Sequence, residues 1–309
     1  MGGDRTVGTR EPGRTTSVST DANSFEGSDG TRSIARFVET PSGLIFTTLS
    51  MPQVAPSTGI LVCPPIHADF STNYRKEVLL ARALAARGFA VQRFHYRGLG
   101  NSDGEASEMT FDGMVDDAAA AAVALRDAAE VSRVACFGTR FGALVAAAAA
   151  REVGASHLAF WEPAIEAASL FREATRAVLA HRLQQDGAEG ASFEQLVEEL
   201  RTQGVVDILG YSLDQRLFES SIDRTLEDEL GASPRPVLFV QIGSSLNLRR
   251  PLRELVERLR AKAWNVDVRS VKGGEPWWVT SRAWVPVEFR PTTEELLGAT
   301  AEWFERELV

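Results

Sequence analysis

Short apolar runs alternate with amphipathic helical segments along most of the chain. The runs of strand length lie at residues 59–63, 89–94, 131–137, 157–161, 236–242 and 266–271. The segments with helical spacing lie at residues 74–87, 111–129, 141–153 and 293–308. Strands and helices that alternate at this spacing are typical of a parallel sheet with right-handed crossovers. The pattern therefore predicts an α/β fold with a mostly parallel, twisted sheet flanked by helices.

The beginning of the chain has a different composition. Residues 1–33 are rich in Gly, Ser, Thr, Arg and Asp and contain few large apolar side chains. Such a segment buries too little surface to offset the entropy lost on ordering, so we expect a disordered tail. The folded domain then begins with a predicted hairpin of residues 34–40 and 44–49, joined by a turn at residues 41–43.

A long strand-poor segment interrupts the alternating pattern. It covers residues 164–233 and is longer than an ordinary connection between sheet elements. Because its apolar positions have helical spacing, we interpret it as a helical cap. The core of the domain would then consist of residues 34–163 and 234–309.

Composition excludes some classes of partner. The formal net charge of −9 argues against nucleic-acid binding, because a surface for phosphate backbones needs an excess of Lys and Arg. No stretch reaches the ~18 apolar residues of a membrane span, and the N-terminus lacks the apolar segment of a signal peptide. We therefore expect a cytoplasmic protein with no membrane partner. Cys63 and Cys136 lie in apolar runs, which predicts reduced thiols in the core.

Two short segments follow loop patterns of a known fold. Residues 94–104 read Phe-His-Tyr-Arg-Gly-Leu-Gly-Asn-Ser-Asp-Gly, which resembles the Asp-Tyr-Arg-Gly-x-Gly-x-Ser loop of many α/β-hydrolases. Residues 138–142 read Gly-Thr-Arg-Phe-Gly and fall at a strand-to-helix turn, where the Gly-x-Ser-x-Gly nucleophile elbow belongs. The order of elements and these two segments together resemble the α/β-hydrolase superfamily. The resemblance implies that fold.

Arg140 occupies the position of the nucleophilic serine, and no serine lies between Val134 and Val153. In this superfamily the acid normally follows the strand at 236–242, but residues 243–250 contain no carboxylate. The histidine normally follows the strand at 266–271, but the chain's histidines all lie upstream of it, at His67, His95, His157 and His181. The sequence therefore predicts a hydrolase fold without the Ser-His-acid triad.

A narrower resemblance accounts for the arginine. The chain is most similar to the exosortase-system-associated hydrolases of the second type, a family with Gly-x-Arg-x-Gly at the elbow. Residues 161–163 (Trp-Glu-Pro), 210–213 (Gly-Tyr-Ser-Leu) and 274–278 (Gly-Glu-Pro-Trp-Trp) also fit that family. The resemblance covers residues 35–308. It implies the fold rather than an activity, because the name hydrolase follows the fold.

Two interpretations of Arg140 are open. The N-terminus of the helix that follows it favours negative charge. Arg140, the backbone N–H of Phe141 and a donor near Ile66 could therefore clamp a carboxylate, a phosphate or a thioester carbonyl. Alternatively, Arg140 pairs internally with Glu162 or Glu275 and closes a defunct site. The two are compatible, because a ligand anion could replace one carboxylate.

Other candidate residues lie in neighbouring loops. His67 and Asp69 follow the strand at 59–63, on the loop that usually supplies an oxyanion donor. His67 is either a general base, since it titrates near neutrality, or a loop residue that only makes hydrogen bonds. Trp277 either packs under the cap or walls a pocket for an apolar ligand. No His-x-x-His or Cys-x-x-Cys spacing and no complete glycine-rich phosphate loop occur, so we expect no metal and no cofactor.

Three functions follow as hypotheses. A divergent enzyme would handle a small acyl or carboxylate-bearing metabolite, with Arg140 stabilising the anion and His67 acting as base. A non-catalytic pseudo-hydrolase would use the same pocket to bind a ligand or to scaffold a partner. A conventional esterase or thioesterase would need a relocated nucleophile, such as Ser102 or Cys63, and a new triad.

Overall fold

The computed structural model describes residues 24–27, 30–186, 192–208, 210–273 and 291–309. Its strands are β1 (Ser24–Glu26), β2 (Arg32–Thr40), β3 (Gly43–Met51), β4 (Thr58–Cys63), β5 (Ala90–Phe94), β6 (Arg133–Thr139), β7 (Leu158–Trp161), β8 (Val205–Ile208), β9 (Tyr211–Asp214), β10 (Val237–Gly243) and β11 (Val266–Lys272). Its helices are α1 (His67–Ala85), α2 (Phe111–Ala129), α3 (Gly142–Glu152), α4 (Ala167–Asp186), α5 (Phe193–Gln203), α6 (Gln215–Ser221), α7 (Leu226–Leu230), α8 (Arg250–Ala261) and α9 (Pro291–Leu308).

The main sheet has the strand order β1-β2-β3-β5-β4-β6-β7-β10-β11. The strands from β5 to β11 in this order are parallel, and β1, β2 and β3 are added antiparallel at one edge. The central parallel strands are apolar because both of their faces are covered. Helices α1 and α9 pack on one face, and α2, α3 and α8 pack on the other. The predicted α/β fold is confirmed.

Helix α1 begins at His67, seven residues before the predicted start at residue 74. Its first turns are polar and therefore resemble a loop in the sequence. The backbone carbonyl of Asp69 accepts hydrogen bonds from the side chains of Thr72 (3.3 Å) and Asn73 (2.9 Å). Asp69 itself lies in the first turn, where a negative charge complements the helix dipole.

The sheet also begins earlier than the predicted boundary at residue 34. Strand β1, at residues 24–26, pairs antiparallel with β2, so that Phe25 lies opposite Ser33. The guanidinium of Arg82 lies 5.9 Å from the centre of the Phe25 ring. Phe25 is thus a large apolar side chain that contacts helix α1. The average composition of residues 1–33 gives no indication of this contact.

The segment between residues 164 and 233 contains helices α4 to α7. It also contains a two-stranded antiparallel hairpin of β8 and β9, which the prediction of a helical cap did not include. The hairpin was hidden because each strand is only four residues long, with Val206 and Ile208 buried between exposed neighbours. Helix α7 packs against α3 of the core.

Cys63 and Cys136 lie on the neighbouring strands β4 and β6. Both thiols are free and buried. Burial raises the pKa of both, that of Cys136 to about 12. The predicted reduced thiols of the core are confirmed.

Candidate binding site at the elbow turn

Arg140 stands at a sharp turn between β6 and α3, which we call the elbow turn (residues 138–142). Its φ angle is +54°, a left-handed conformation that side chains with a Cβ rarely adopt. A Cβ on Gly142 would lie 2.3 Å from the carbonyl oxygen of Cys63 and 2.5 Å from that of Pro64. A Cβ on Gly138 would lie 2.4 Å from the carbonyl oxygen of Gly142. The two glycines are therefore needed for strand and helix to approach this closely.

The Arg140 side chain is buried and bridges two carboxylates. Its Nε donates to Asp69 Oδ2 at 3.1 Å, and its Nη2 lies 3.0 Å from Glu173 Oε2. Burial disfavours the charged guanidinium, but Asp69 and Glu173 outweigh this effect and raise the pKa of Arg140. Burial also raises the pKa of Asp69, an effect that Arg140 opposes. The predicted partners, Glu162 and Glu275, are not those of these two ion pairs.

Glu162 follows β7 and forms an ion pair with Arg249 instead. Its other carboxylate oxygen accepts a hydrogen bond from the backbone N–H of Ile242. Burial raises the pKa of Glu162, whereas Arg249, the Ile242 N–H and, least of all, Arg140 lower it. Arg249 lies in the segment 243–250, where the acid of a triad normally stands. The ion pair of Glu162 is therefore with Arg249 and not, as the sequence had suggested, with Arg140. Glu275 lies outside the described residues.

A cleft of about 530 Å³ opens beside Arg140, at the carboxyl ends of β6, β7 and β10. Its charged lining residues in the described part of the chain are Arg140, Glu162, Glu166, Glu173, Arg176 and Arg249. Its apolar lining residues are Pro163, Ala164, Ile165, Leu170, Pro251 and Leu252. The volume suits a small molecule, and ligands of open parallel sheets bind at this edge.

Phe141 caps the N-terminus of α3, and its ring is fully buried between Phe111 and Phe171. No hydrogen bond from the Phe141 N–H occurs among the described residues. This N–H is one of the unpaired donors at the start of a helix. Phe141 is fully buried, however, and is not among the described residues that line the cleft.

His67 lies beside a different cleft. It lines a space of about 100 Å³ together with Ile66 and Ser212, whereas Arg140 does not line that space. Its φ angle is +52°, and its Nδ1 atom is buried without a hydrogen-bond partner among the described residues. Burial lowers the pKa of His67 to about 4, although a hydrogen bond to the backbone of Ser212 opposes the shift. The structure thus places the predicted base and Arg140 on separate clefts.

The alternative nucleophiles have structural roles. The hydroxyl of Ser102 donates to the carbonyl oxygen of His95 (2.7 Å) and accepts from the N–H of Phe46 (2.8 Å). Cys63 is fully buried with a raised pKa, so it is neither accessible nor ionised. The Nδ1 atom of His95 accepts a hydrogen bond from the N–H of Asn101 at 3.0 Å, so this side chain bonds the backbone of its own loop. Trp277 lies outside the described residues.

Three residues of the site were missed by the sequence analysis: Glu173, Arg176 and Arg249. Arg249 had a detectable signal, because it stands where the fold normally places an acid. Glu173 and Arg176 lie on α4, and helical spacing alone does not show which face of an inserted helix meets the sheet edge. Asp69 was singled out, but beside His67 rather than as a partner of Arg140.

Two features are absent from the residues that the structure describes. No helix among them is long and apolar enough to cross a membrane. Within the same ranges, no group of three or more His, Cys, Asp or Glu side chains could hold a metal ion.

Comparison with known proteins gives matches to hydrolases. The family model described as serine aminopeptidase, S33, matches residues 67–206. A structure of Est1E from Butyrivibrio proteoclasticus with bound ferulic acid has a TM-score of 0.61 and 16% identity, over 89% of this chain and 99% of that one. An esterase from Pyrococcus furiosus has a TM-score of 0.61 and 15% identity, over 99% and 97% of the two chains.

A third structure, an α/β serine hydrolase without lid from Xanthomonas campestris, has a TM-score of 0.52 and 19% identity, over 89% of this chain and 94% of that one. A comparison with curated proteins gave no match. The strand order, the family match and these structures agree with one another. The chain therefore has the α/β-hydrolase fold.

Proposed function

We propose that this chain is a non-catalytic member of the hydrolase fold, which binds a small carboxylate-bearing ligand in the cleft beside Arg140. The observation that carries the proposal is the position of Arg140. A buried guanidinium replaces the nucleophile at the elbow turn and already holds two carboxylates. The exosortase-associated resemblance of the sequence is compatible with this function but does not name the ligand.

The two carboxylates on Arg140 differ in how easily a ligand could replace them. Asp69 belongs to the first turn of α1, and its side chain is only 16% exposed. Glu173 belongs to α4 of the insertion, and its side chain is 34% exposed. A ligand carboxylate could take the place of Glu173, because the guanidinium offers donors in a fork that fits a carboxylate. This exchange would leave the charge around Arg140 unchanged.

The remainder of the cleft suits the rest of such a ligand. Ile165, Leu170 and Leu252 provide an apolar wall for an alkyl or aryl group. Arg176 lines the same cleft, is exposed, and makes no ion pair or hydrogen bond with the described residues. It provides a second positive charge for the approach of an anion.

Two observations favour binding over catalysis. No hydroxyl or thiol occupies the tip of the elbow turn, and the hydroxyl of Ser102 is engaged in the backbone of its own loop. His67 lines a separate cleft and, with a pKa lowered to about 4, is a weak base. The divergent enzyme is the second candidate. The Phe141 N–H has no hydrogen-bond partner among the described residues, and it could stabilise a developing negative charge on a substrate carbonyl that reached the start of α3.

Binding is tested by calorimetric titration with 3-phenylpropionate and with its neutral amide. We expect saturable binding of the carboxylate and none of the amide. Arg140→Gln should weaken binding at least ~10-fold, the loss of one charge-assisted contact of about 1.4 kcal/mol or more. Arg253→Gln is the matched control, because Arg253 is exposed on α8 and does not line the cleft. Equal binding of the two compounds, or unchanged binding by Arg140→Gln, would refute the anion clamp.

Catalysis is tested on the same protein with a fluorophosphonate probe and with nitrophenyl esters and thioesters. We expect neither covalent labelling nor turnover. Stoichiometric labelling of one residue would show a nucleophile and restore the esterase hypothesis. Turnover without labelling that His67→Asn abolishes would instead support the divergent enzyme.

A further inference from the structure

A second groove lies between α1 and the antiparallel edge of the sheet, and it shares no residue with the cleft at Arg140. Its volume is about 260 Å³. Two rows of residues in register form its floor: Phe25, Ser33 and Ser50 in one row, and Ala35, Thr48 and Arg93 in the other. Val78 and Arg82 of α1 form its wall. The alternation of strand side chains places all of the floor residues on the same face of the sheet.

Arg93 is the unusual member of this groove. It is only 9% exposed, and its Nε atom is buried without a hydrogen-bond partner in the described ranges of the chain. Its guanidinium lies 4.9 Å from the centre of the Tyr74 ring, but makes no hydrogen bond or ion pair with any residue that the structure describes. A buried guanidinium with an unsatisfied N–H donor is costly, so a ligand that accepts a hydrogen bond from it would be stabilised.

The surroundings of Arg93 do not neutralise its charge. No carboxylate is among the described residues that line the groove. Arg93 interacts with the buried carboxyl group of Glu77, but burial raises the pKa of Glu77 to about 8, so that group carries a proton at neutral pH. Arg82, on the wall, is engaged only with the ring of Phe25 among the described residues. The described residues that line the groove therefore supply two positive charges and no negative charge.

Neutral hydrogen-bond donors accompany the two arginines. The hydroxyls of Ser33 and Ser50 lie 3.5 Å apart, and the Thr48 hydroxyl has no hydrogen bond within the described part of the chain. Three hydroxyls and two guanidinium groups offer donors from several directions. Such a set matches an anion with several equivalent oxygens better than a single carboxylate.

We propose that this groove is a second binding site, which takes a phosphoryl group between Arg93, Arg82 and the hydroxyls of β2 and β3. The anion is either inorganic phosphate or the phosphate of a small ester. The ring of Phe25 stands at the rim and offers an apolar surface to an ester group. The site is independent of the proposed function, because it involves neither Arg140 nor the cleft beside it.

The test is calorimetric titration of the full chain with inorganic phosphate and with phenyl phosphate, at constant ionic strength. We expect one saturable site, with affinity lowered at least ~10-fold by Arg82→Gln and by Arg93→Gln. Arg75→Gln is the matched control, because Arg75 is exposed on the same helix and does not line the groove. Circular dichroism checks that each variant is folded. If Arg93→Gln does not fold, Arg82→Gln carries the test alone, because Arg82 is only half-buried.

Each outcome decides a separate question. Equal affinity for the two compounds identifies free phosphate as the ligand, and tighter binding of phenyl phosphate identifies an ester. Absence of saturable binding overturns the proposal, as does equal weakening by Arg75→Gln. If Arg140→Gln abolishes phosphate binding while Arg82→Gln leaves it intact, the anion belongs to the cleft at the elbow turn, and the second site is refuted.

Discussion

The carboxylate of Glu173 lies 3.0 Å from the guanidinium of Arg140. A negative charge of helix α4 is thus paired with the positive charge at the elbow turn. Asp69 approaches the same guanidinium from α1. Arg140 therefore connects three elements that are distant in sequence. A ligand anion that competes for Arg140 would compete first with Glu173, which is more exposed than Asp69.

Glu173→Gln tests this competition directly. Removing the charge while keeping the shape should raise the affinity for 3-phenylpropionate roughly 3- to 10-fold, because the ligand no longer displaces an ion pair. The free energy of unfolding should fall by less than ~1 kcal/mol, since the pair is partly exposed and screened by solvent. Calorimetric titration and urea unfolding measure the two effects. Glu198→Gln, on the exposed face of α5, is the control. Weaker ligand binding by Glu173→Gln would show that Glu173 helps to hold the ligand.

The backbone at position 140 gives a second prediction. Arg140→Ala removes both ion pairs and leaves Asp69 buried without its partner, which should lower the free energy of unfolding by about 3 kcal/mol. Arg140→Gly removes the same contacts but suits a φ of +54°. It should therefore be more stable than Arg140→Ala by about 0.5–1 kcal/mol. Urea unfolding of the two variants gives the comparison. Greater stability of the alanine variant would contradict the left-handed backbone.

The fold could be predicted because its signals are local. The runs at 59–63, 131–137 and 236–242 are continuous and apolar, and burial on both faces of a parallel sheet requires this pattern. Strand β1 was missed because its contact with α1 joins Phe25 to Arg82. These two residues are 57 positions apart, so no local pattern shows the contact. The β8–β9 hairpin was missed because strands of four residues carry too little periodicity.

For the candidate site, the sequence predicted the backbone turn and the position of Arg140, but not the side chains that surround Arg140. The glycines at 138 and 142 fixed the elbow turn, and Arg140 was identified at its tip. The partners of Arg140 depend on side-chain directions across α1, α4 and β7, which no spacing reveals. Glu162 lies close to Arg140 along the edge of the sheet, but it forms its ion pair with Arg249 of the next loop. Which of the two arginines pairs with Glu162 depends on the positions of their side chains in the folded structure.

Gly142 should tolerate no side chain. The Cβ of Gly142→Ala would lie 2.3 Å from the carbonyl oxygen of Cys63, and neither backbone can move without displacing β4 or α3. We expect the free energy of unfolding to fall by about 3 kcal/mol or more. Gly298→Ala is the opposite control, because its Cβ would meet nothing closer than 4.0 Å on α9. It should stabilise the helix by about 0.5–1 kcal/mol. Similar effects of the two changes would argue against the close approach.

Glu77 should make the stability of the protein depend on pH. Burial raises its pKa from 4.5 to about 8, so the native state keeps a proton that the unfolded chain loses near pH 4.5. Between these values the unfolded state binds fewer protons than the native state, and the free energy of unfolding falls as pH rises. The contribution is complete below pH 4.5 and is lost by about pH 8.

Glu77→Gln removes this dependence because the amide does not titrate. The variant should gain stability relative to the wild type as pH rises from 5 to 8, and the gain should level off at higher pH. Urea unfolding of both proteins at pH 5, 6.5 and 8 measures the difference. Glu257→Gln, on the exposed surface of α8, should follow the wild type at every pH. A difference between Glu77→Gln and wild type that stays constant with pH would mean that Glu77 is already ionised in the native state, and Arg93 would then have a charged neighbour instead of a neutral one.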